Sequence, residues 1–339
     1  MKQIFTWMVA VAVCTSCTRE NIGDVPRDKS PSETGNLLGK KLENPYSLGN
    51  MRRALANLGP ATRSGLGEAD IQATHYYVKF MPETEEELDL LKQDTTVILY
   101  EYPLDYELGE GFEGNYHDPA VPDSLPTYQY ASISVGYWAE VSRTPVQYEI
   151  LEELFIPDED KDDGTTVATR SGTAAPLNEA LADALVEEAL RITGNDQEEE
   201  VQTRGRSKWR PAGRILYYDE EINRYIGLEG IKVKARRWFT THTGFVNANG
   251  YYSCNGRFKR RADYSFDLER YDFHVKGDKR VRTDFSKSNR KGDWDYTFAR
   301  SSSQPEYFAA TISGQPITIT IKISECCGGH RRTVSGKPR

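Results

Sequence analysis

The chain has 339 residues, room for about two domains, with 51 acidic against 43 basic residues and a net charge of −8. The acidic balance excludes a general nucleic-acid binder, and beyond the first 13 residues no stretch reaches the roughly 20 apolar residues of a membrane helix. Only 38% of residues are hydrophobic while 28% are charged, and 20 are tyrosine, a composition that suits modest folded units joined by polar linkers better than one large core.

The chain opens with Lys2, then the apolar run Ile4 to Val13, the length of a signal-peptide core and too short to span a bilayer. Cys14-Thr15-Ser16-Cys17 follows. Ser16 is the small residue that precedes a lipidated cysteine, so this end resembles a bacterial lipoprotein signal, with residues 1–16 removed and Cys17 carrying the lipid. A plain secretory signal with an incidental cysteine is the competing reading. Each buried CH₂ of a lipid contributes ~0.8 kcal/mol, and several chains together anchor stably. Thr18 to Lys41 is polar, with Pro26, Pro31 and several glycines; residues 17–43 read as a lipidated tether.

Residues 44–160 read as a small α+β domain. Ser47 to Leu58 is a short helix with Ser47 as its cap. Thr74 to Phe80 is a strand with Tyr76, Val78 and Phe80 on one face. Thr84-Glu85-Glu86-Glu87 is a capping box, opening a helix with Leu88 and Leu91 turned inward. Thr95 to Tyr102 reads as a second strand, Tyr128 to Val135 and Gln147 to Ile156 as further ones. Residues 161–210 read as a linker. It holds an amphipathic helix over 177–192, striped by Leu177, Leu181, Leu185, Ala189 and Ile192, with Gly194 to stop it. The five residues Ala61-Thr62-Arg63-Ser64-Gly65 recur at 168–172, as shared linker composition or as sites of processing at arginine.

From residue 211 to 312 the pattern becomes all-β. Ile231, Val233 and Ala235 alternate with Lys232, Lys234 and Arg236; Tyr264, Phe266 and Leu268 alternate with Ser265, Asp267 and Glu269. Asn249-Gly250 reads as a hairpin turn between Thr243–Val246 and Tyr251–Cys254. Six or seven short strands with turns between them give an antiparallel β-sandwich. The fold class expected is therefore α+β: a small N-terminal α+β unit, a linker helix, then a C-terminal antiparallel β-sandwich. Charge divides unevenly. Residues 83–163 carry 22 acids and 3 bases, −19; residues 204–300 carry 23 bases and 12 acids, +11. Two solvated surfaces would account for this, and so would docking of one half on the other.

Few motifs carry chemistry. No Cys/His set has zinc-ligand spacing, so no metal and no cofactor is expected; Cys254 reads as a buried free thiol. Asp158 to Gly164 resembles the start of an EF-hand, but Thr169 stands where the bidentate Glu belongs, and a solvated acidic loop is the simpler account. His75, His117, His242 and His274 lie far apart and read as ordinary surface histidines. Arg257-Phe258-Lys259-Arg260-Arg261 reads as an exposed basic face. No Gly-x-Ser-x-Gly and no phosphate-binding loop occurs.

Leu228-Glu229-Gly230-Ile231-Lys232-Val233, followed by Thr243-Gly244-Phe245 and Asn249-Gly250-Tyr251-Tyr252, resembles the carboxypeptidase regulatory-like, transthyretin-type sandwich over about 80 residues. The wider chain, from about 40 to 312, is similar to a Bacteroides-type conserved lipoprotein family of unassigned function, through Asn44-Pro45-Tyr46, Thr74 to Phe80, Tyr102-Pro103-Leu104-Asp105-Tyr106, Tyr116-His117-Asp118-Pro119 and Tyr148 to Leu154. The likeness stops near Ile312. Read in a shifted frame, the tail permits a string similar to that family's continuation, so residues 313–339 are expected to be out of frame and poorly integrated. The resemblance implies a lipid-anchored envelope protein, at the outer membrane or cell surface, serving as a non-catalytic display or accessory module. Its partners would be the membrane, through the lipid, and a protein or glycan not readable from the residues. Relatives in that family continue into a His-Glu-x-x-His-like segment absent here, so the alternative is the N-terminal part of a zinc metallopeptidase-like enzyme.

Overall fold

The structure is a computed structural model. It describes residues 38–59, 67–108, 116–157, 165–168, 174–177, 179–196, 208–219, 222–270, 273–276, 284–298 and 335–337. Cys17, the acidic loop at 158–164, most of the repeated 61–65 and 168–172 segments and nearly all of 313–339 lie outside these residues.

In the first part, β1 (Leu38–Lys41) precedes helix α1 (Leu48–Asn57). Ser47 caps α1 as its sequence suggests, its Oγ accepting from Asn50 N at 3.2 Å. Strand β2 (His75–Met81) leads to α2 (Glu85–Gln93). Thr84 Oγ1 accepts from Glu87 N at 3.2 Å, meeting one orphan donor of the first turn, while the Glu87 carboxylate accepts from Glu83 N at 2.7 Å. Then come β3 (Tyr106–Leu108), β4 (Gln129–Ser134), the single-turn helix α3 (Trp138–Val141) and β5 (Gln147–Leu154). Strand β2 lies between β4 and β5, antiparallel to both. Both faces of this sheet are covered: Val78 and Phe80 pack with Leu91 of α2 and Val141 of α3, whereas Tyr77 joins a second core with α1.

Residues 95–102 do not form the expected strand. The Asp94 carboxylate accepts from Thr96 N at 3.0 Å, and Val97 N bonds to Asp94 O. This turn spends the backbone groups a ladder would need, and only Tyr100 makes a bridge, to Tyr130 on β4.

Strands β6 (Thr165–Ala168) and β7 (Ala174–Leu177) pair antiparallel, and helix α4 runs from Glu179 to Ile192. The helix starts later than its periodicity suggests because Leu177 is held in β7, paired with Thr165. Nor does it behave as a linker: Leu181, Leu185, Val186, Ala189 and Leu190 are buried in the core that also contains Met51, Ala54 and Leu55 of α1.

The C-terminal part contains β8 (Ala212–Asp219), β9 (Arg224–Gly227), β10 (Lys232–Arg237), β11 (Thr240–Phe245), β12 (Tyr251–Ser253), β13 (Ala262–Asp267), β14 (Glu269–Arg270), β15 (Phe273–Lys276), β16 (Asp284–Arg290), β17 (Tyr296–Thr297) and β18 (Ser335–Lys337). One sheet is ordered β11-β10-β13-β16; the other centres on β8, flanked by β12, β9 and β17. Ile215, Val233, Tyr252, Tyr264, Phe266 and Trp294 fill the space between them. A small ladder, β14-β15-β18, brings in three residues of the tail. The fold is α+β, with a sandwich-like C-terminal part.

The Asn249-Gly250 turn is present, but it joins the two sheets and not two paired neighbours, since β11 pairs with β10 and β12 with β8. Gly250 has φ +86°, and a Cβ there would lie 2.7 Å from Ile215 O. Tight backbone passage at this corner is therefore open only to glycine.

Candidate ligand cleft at the junction of the two parts

The two parts lie within one unit, Gly35–Arg339, and the charged face of β10 explains how. Strand alternation puts Val233 and Ala235 into the sandwich core, leaving Lys234 and Arg236 on the opposite face. That face is not solvated: both residues are 4% exposed. They meet Tyr100, Tyr102 and Leu104 from the segment that replaces the expected strand. Lys234 Nζ lies 5.0 Å from the Tyr100 ring centre, and the Arg236 guanidinium 5.5 Å from both the Tyr100 and the Tyr102 ring centres. Arg236 also donates to Leu104 O at 3.2 Å and Trp238 O at 2.9 Å. Asp267 pairs with Lys234 at 3.0 Å and Asp263 with Arg236 at 3.6 Å. Burial raises the Tyr102 phenol to about 12, against the opposing pull of Arg236.

Two further contacts extend the junction. Trp238 and Phe239, at the turn after β10, insert into the first part's core, where Phe239 meets Tyr77 at 5.0 Å and Tyr46 at 6.3 Å between ring centres. On the other side, the basic run read as an exposed face is exposed at Arg257 and Arg261 but docks through its centre. Phe258 is core, and Lys259 and Arg260 are buried. Lys259 binds Glu179 at 2.6 Å and also Asp183, both on α4; Arg260 pairs with Glu187 at 3.3 Å, and Lys208 with Glu179 at 3.5 Å. Desolvation disfavours the Lys259 charge, but the hydrogen bonds to Asp183 and Glu179 outweigh it and raise its pKa. The acids that dock the sandwich's basic run lie on α4, outside the acidic 83–163 stretch, while Asp263 and Asp267 belong to the sandwich itself.

Between these contacts a cleft of about 280 Å³ remains. His75 at the start of β2, Thr96 and Ile98 form one side; Thr240, Thr241 and His242 of β11 and the Arg257–Phe258 corner form the other. Tyr100 Oη and Thr241 Oγ1 lie 2.9 Å apart across it. Phe239 contributes to its lining, and His242 stacks on Phe258 at 4.6 Å between ring centres. Ser132 also lines it, with its Oγ buried and lacking a hydrogen-bond partner.

The sequence-stated candidates lie elsewhere or are otherwise engaged. His117 sits between the carbonyls of Asp118 at 3.2 Å and Leu125 at 3.1 Å. Cys254 is a buried free thiol that desolvation pushes up to about 12. His75 and His242, by contrast, are brought together in the lining although 167 positions separate them. Nothing in their spacing signals this. Among the described residues, no group of three or more His, Cys, Asp or Glu is placed to hold a metal ion, and no helix is long and apolar enough to cross a membrane.

No family model, no curated protein and no solved structure matches this chain.

Proposed function

We propose that this chain is a lipid-anchored protein of the cell envelope, held at the outer membrane or cell surface through Cys17, and that its folded body is a non-catalytic display or accessory module. The observation that carries the anchor is the apolar run Ile4 to Val13 followed by Ser16-Cys17. A multi-chain lipid at Cys17 binds a bilayer through the apolar area it buries, with no spanning segment required. What supports a non-catalytic body is the use to which its reactive groups are put: Cys254 is buried and held protonated, and Lys259 is locked between two carboxylates.

Cys17→Ala should move the protein from the membrane to the soluble fraction and remove the mass of the lipid from the mature chain. Unchanged fractionation together with unchanged mass would refute the anchor.

A further inference from the structure

Charge in the cleft runs against charge in the chain. The protein is acidic, and the segment that supplies one wall belongs to the stretch carrying −19, yet no carboxylate lines the cleft. The ionisable side chains there are Arg237, Arg257, His75 and His242, beside the two tyrosine phenols. The cations elsewhere in the junction have acid partners: Lys234 has Asp267, Arg236 has Asp263, Lys259 has Glu179 and Asp183, Arg260 has Glu187, and Lys208 has Glu179. Arg257 differs. It is exposed at the cleft, and among the described residues no hydrogen bond or ion pair engages it. Its planar fork of donors therefore remains open to a guest.

The remaining lining selects for more than charge. Ile98, Phe239 and Phe258 give apolar walls, and a cleft between two packed parts with a few convergent polar groups is a common setting for small ligands. At about 280 Å³ it lies at the small end of the ~300–1,000 Å³ that ligand pockets span, the size for one ring and a short arm.

We propose that this cleft binds a small organic carboxylate with an apolar, single-ring body. The carboxylate sits on Arg257, a charge-assisted and potentially bidentate contact. The ring lies between Phe239, Phe258 and Ile98. This assignment does not rest on the lipid anchor, and it can fail or hold independently of it.

The test is calorimetric titration of the full chain with phenylacetate, phenylacetamide and phenethylamine, which share the phenyl ring and differ in charge. Phenylacetate should saturate, and the neutral and cationic probes should bind at least about tenfold more weakly, the difference a charge-assisted hydrogen bond makes. Arg257→Gln should weaken phenylacetate by about tenfold and leave the amide unchanged, with Arg257→Lys recovering part of the loss. Arg257 is exposed, so circular dichroism of each variant should match the parent. Absence of saturable binding by phenylacetate up to millimolar concentrations, equal binding of all three probes, or an affinity for phenylacetate indifferent to Arg257→Gln would each overturn the proposal.

Discussion

Glu152 carries a charge its surroundings disfavour. Half-buried on β5, it has its pKa raised by desolvation, against the pull of the Asn44 amide that donates to it at 2.6 Å. A carboxyl whose folded pKa lies above its unfolded value binds protons more readily in the folded state. Stability therefore falls as pH rises from 4.5, the ordinary value, through the folded pKa. Glu152→Gln keeps an acceptor for Asn44 and removes the charge. It should raise the stability at pH 7, by less than about 1 kcal/mol because water screens a half-exposed group. It should also flatten the pH dependence just above 4.5, as thermal melts across that range would record. At this scale the sequence was legible for capping and for apolar faces: Ser47, Thr84, Val78 and Phe80 all do what their positions suggest. It misled at Lys234, Arg236, Lys259 and Arg260. Alternation says which residues share a face, and only the tertiary partner says whether that face meets water or another part of the chain.

Helix α4 shows the same limit at the level of elements. Its stripe of Leu181, Leu185 and Ala189 is plain in the sequence, but the partner of that stripe is α1, about 130 residues earlier, and polar neighbours on either side made it read as linker. Leu185 is fully buried, so Leu185→Ala should cost about 2–5 kcal/mol, the range for a leucine truncated in a core. A linker helix on the surface would lose under about 0.5 kcal/mol, and denaturant unfolding separates the two outcomes. The Thr95–Tyr102 segment errs the other way. Its β-branched and aromatic residues suit a strand, and a local turn at Asp94 takes the backbone away while the tyrosines serve as the seat for Lys234 and Arg236. At the Asn249-Gly250 corner the turn residues were legible and the pairing was not, because dipeptide chemistry fixes a bend and leaves open which sheet the chain enters next.

Across the whole molecule, the junction ties the α+β part and the sandwich through buried groups. Phe239 is 5% exposed within the core of the first part, and Arg236 depends on Leu104 O and the two tyrosine rings. A fragment beginning at Lys208 and keeping only the sandwich would expose Trp238 and Phe239 and leave Arg236 without those partners. We expect it to unfold at a lower temperature than the full chain and to bind a hydrophobic dye. A fragment melting with the full chain's midpoint would mean that the junction adds little. The uneven charge was visible in composition, but it did not locate the docking, because the acids that meet Lys259 and Arg260 lie on α4, outside the acidic 83–163 stretch.

Cys254 gives the sandwich an internal clock. The residue is 1% exposed, and burial pushes the thiol up to about 12, so an alkylating reagent at mildly alkaline pH meets neither an accessible nor an ionised group. Modification has to wait for the sheets around it to part. Once they do, the thiol returns to its ordinary acidity and reacts quickly. The labelling rate at this one position, read peptide by peptide, thus reports how often the sandwich opens, and a guest that clamps the junction would slow it without touching the sulfur.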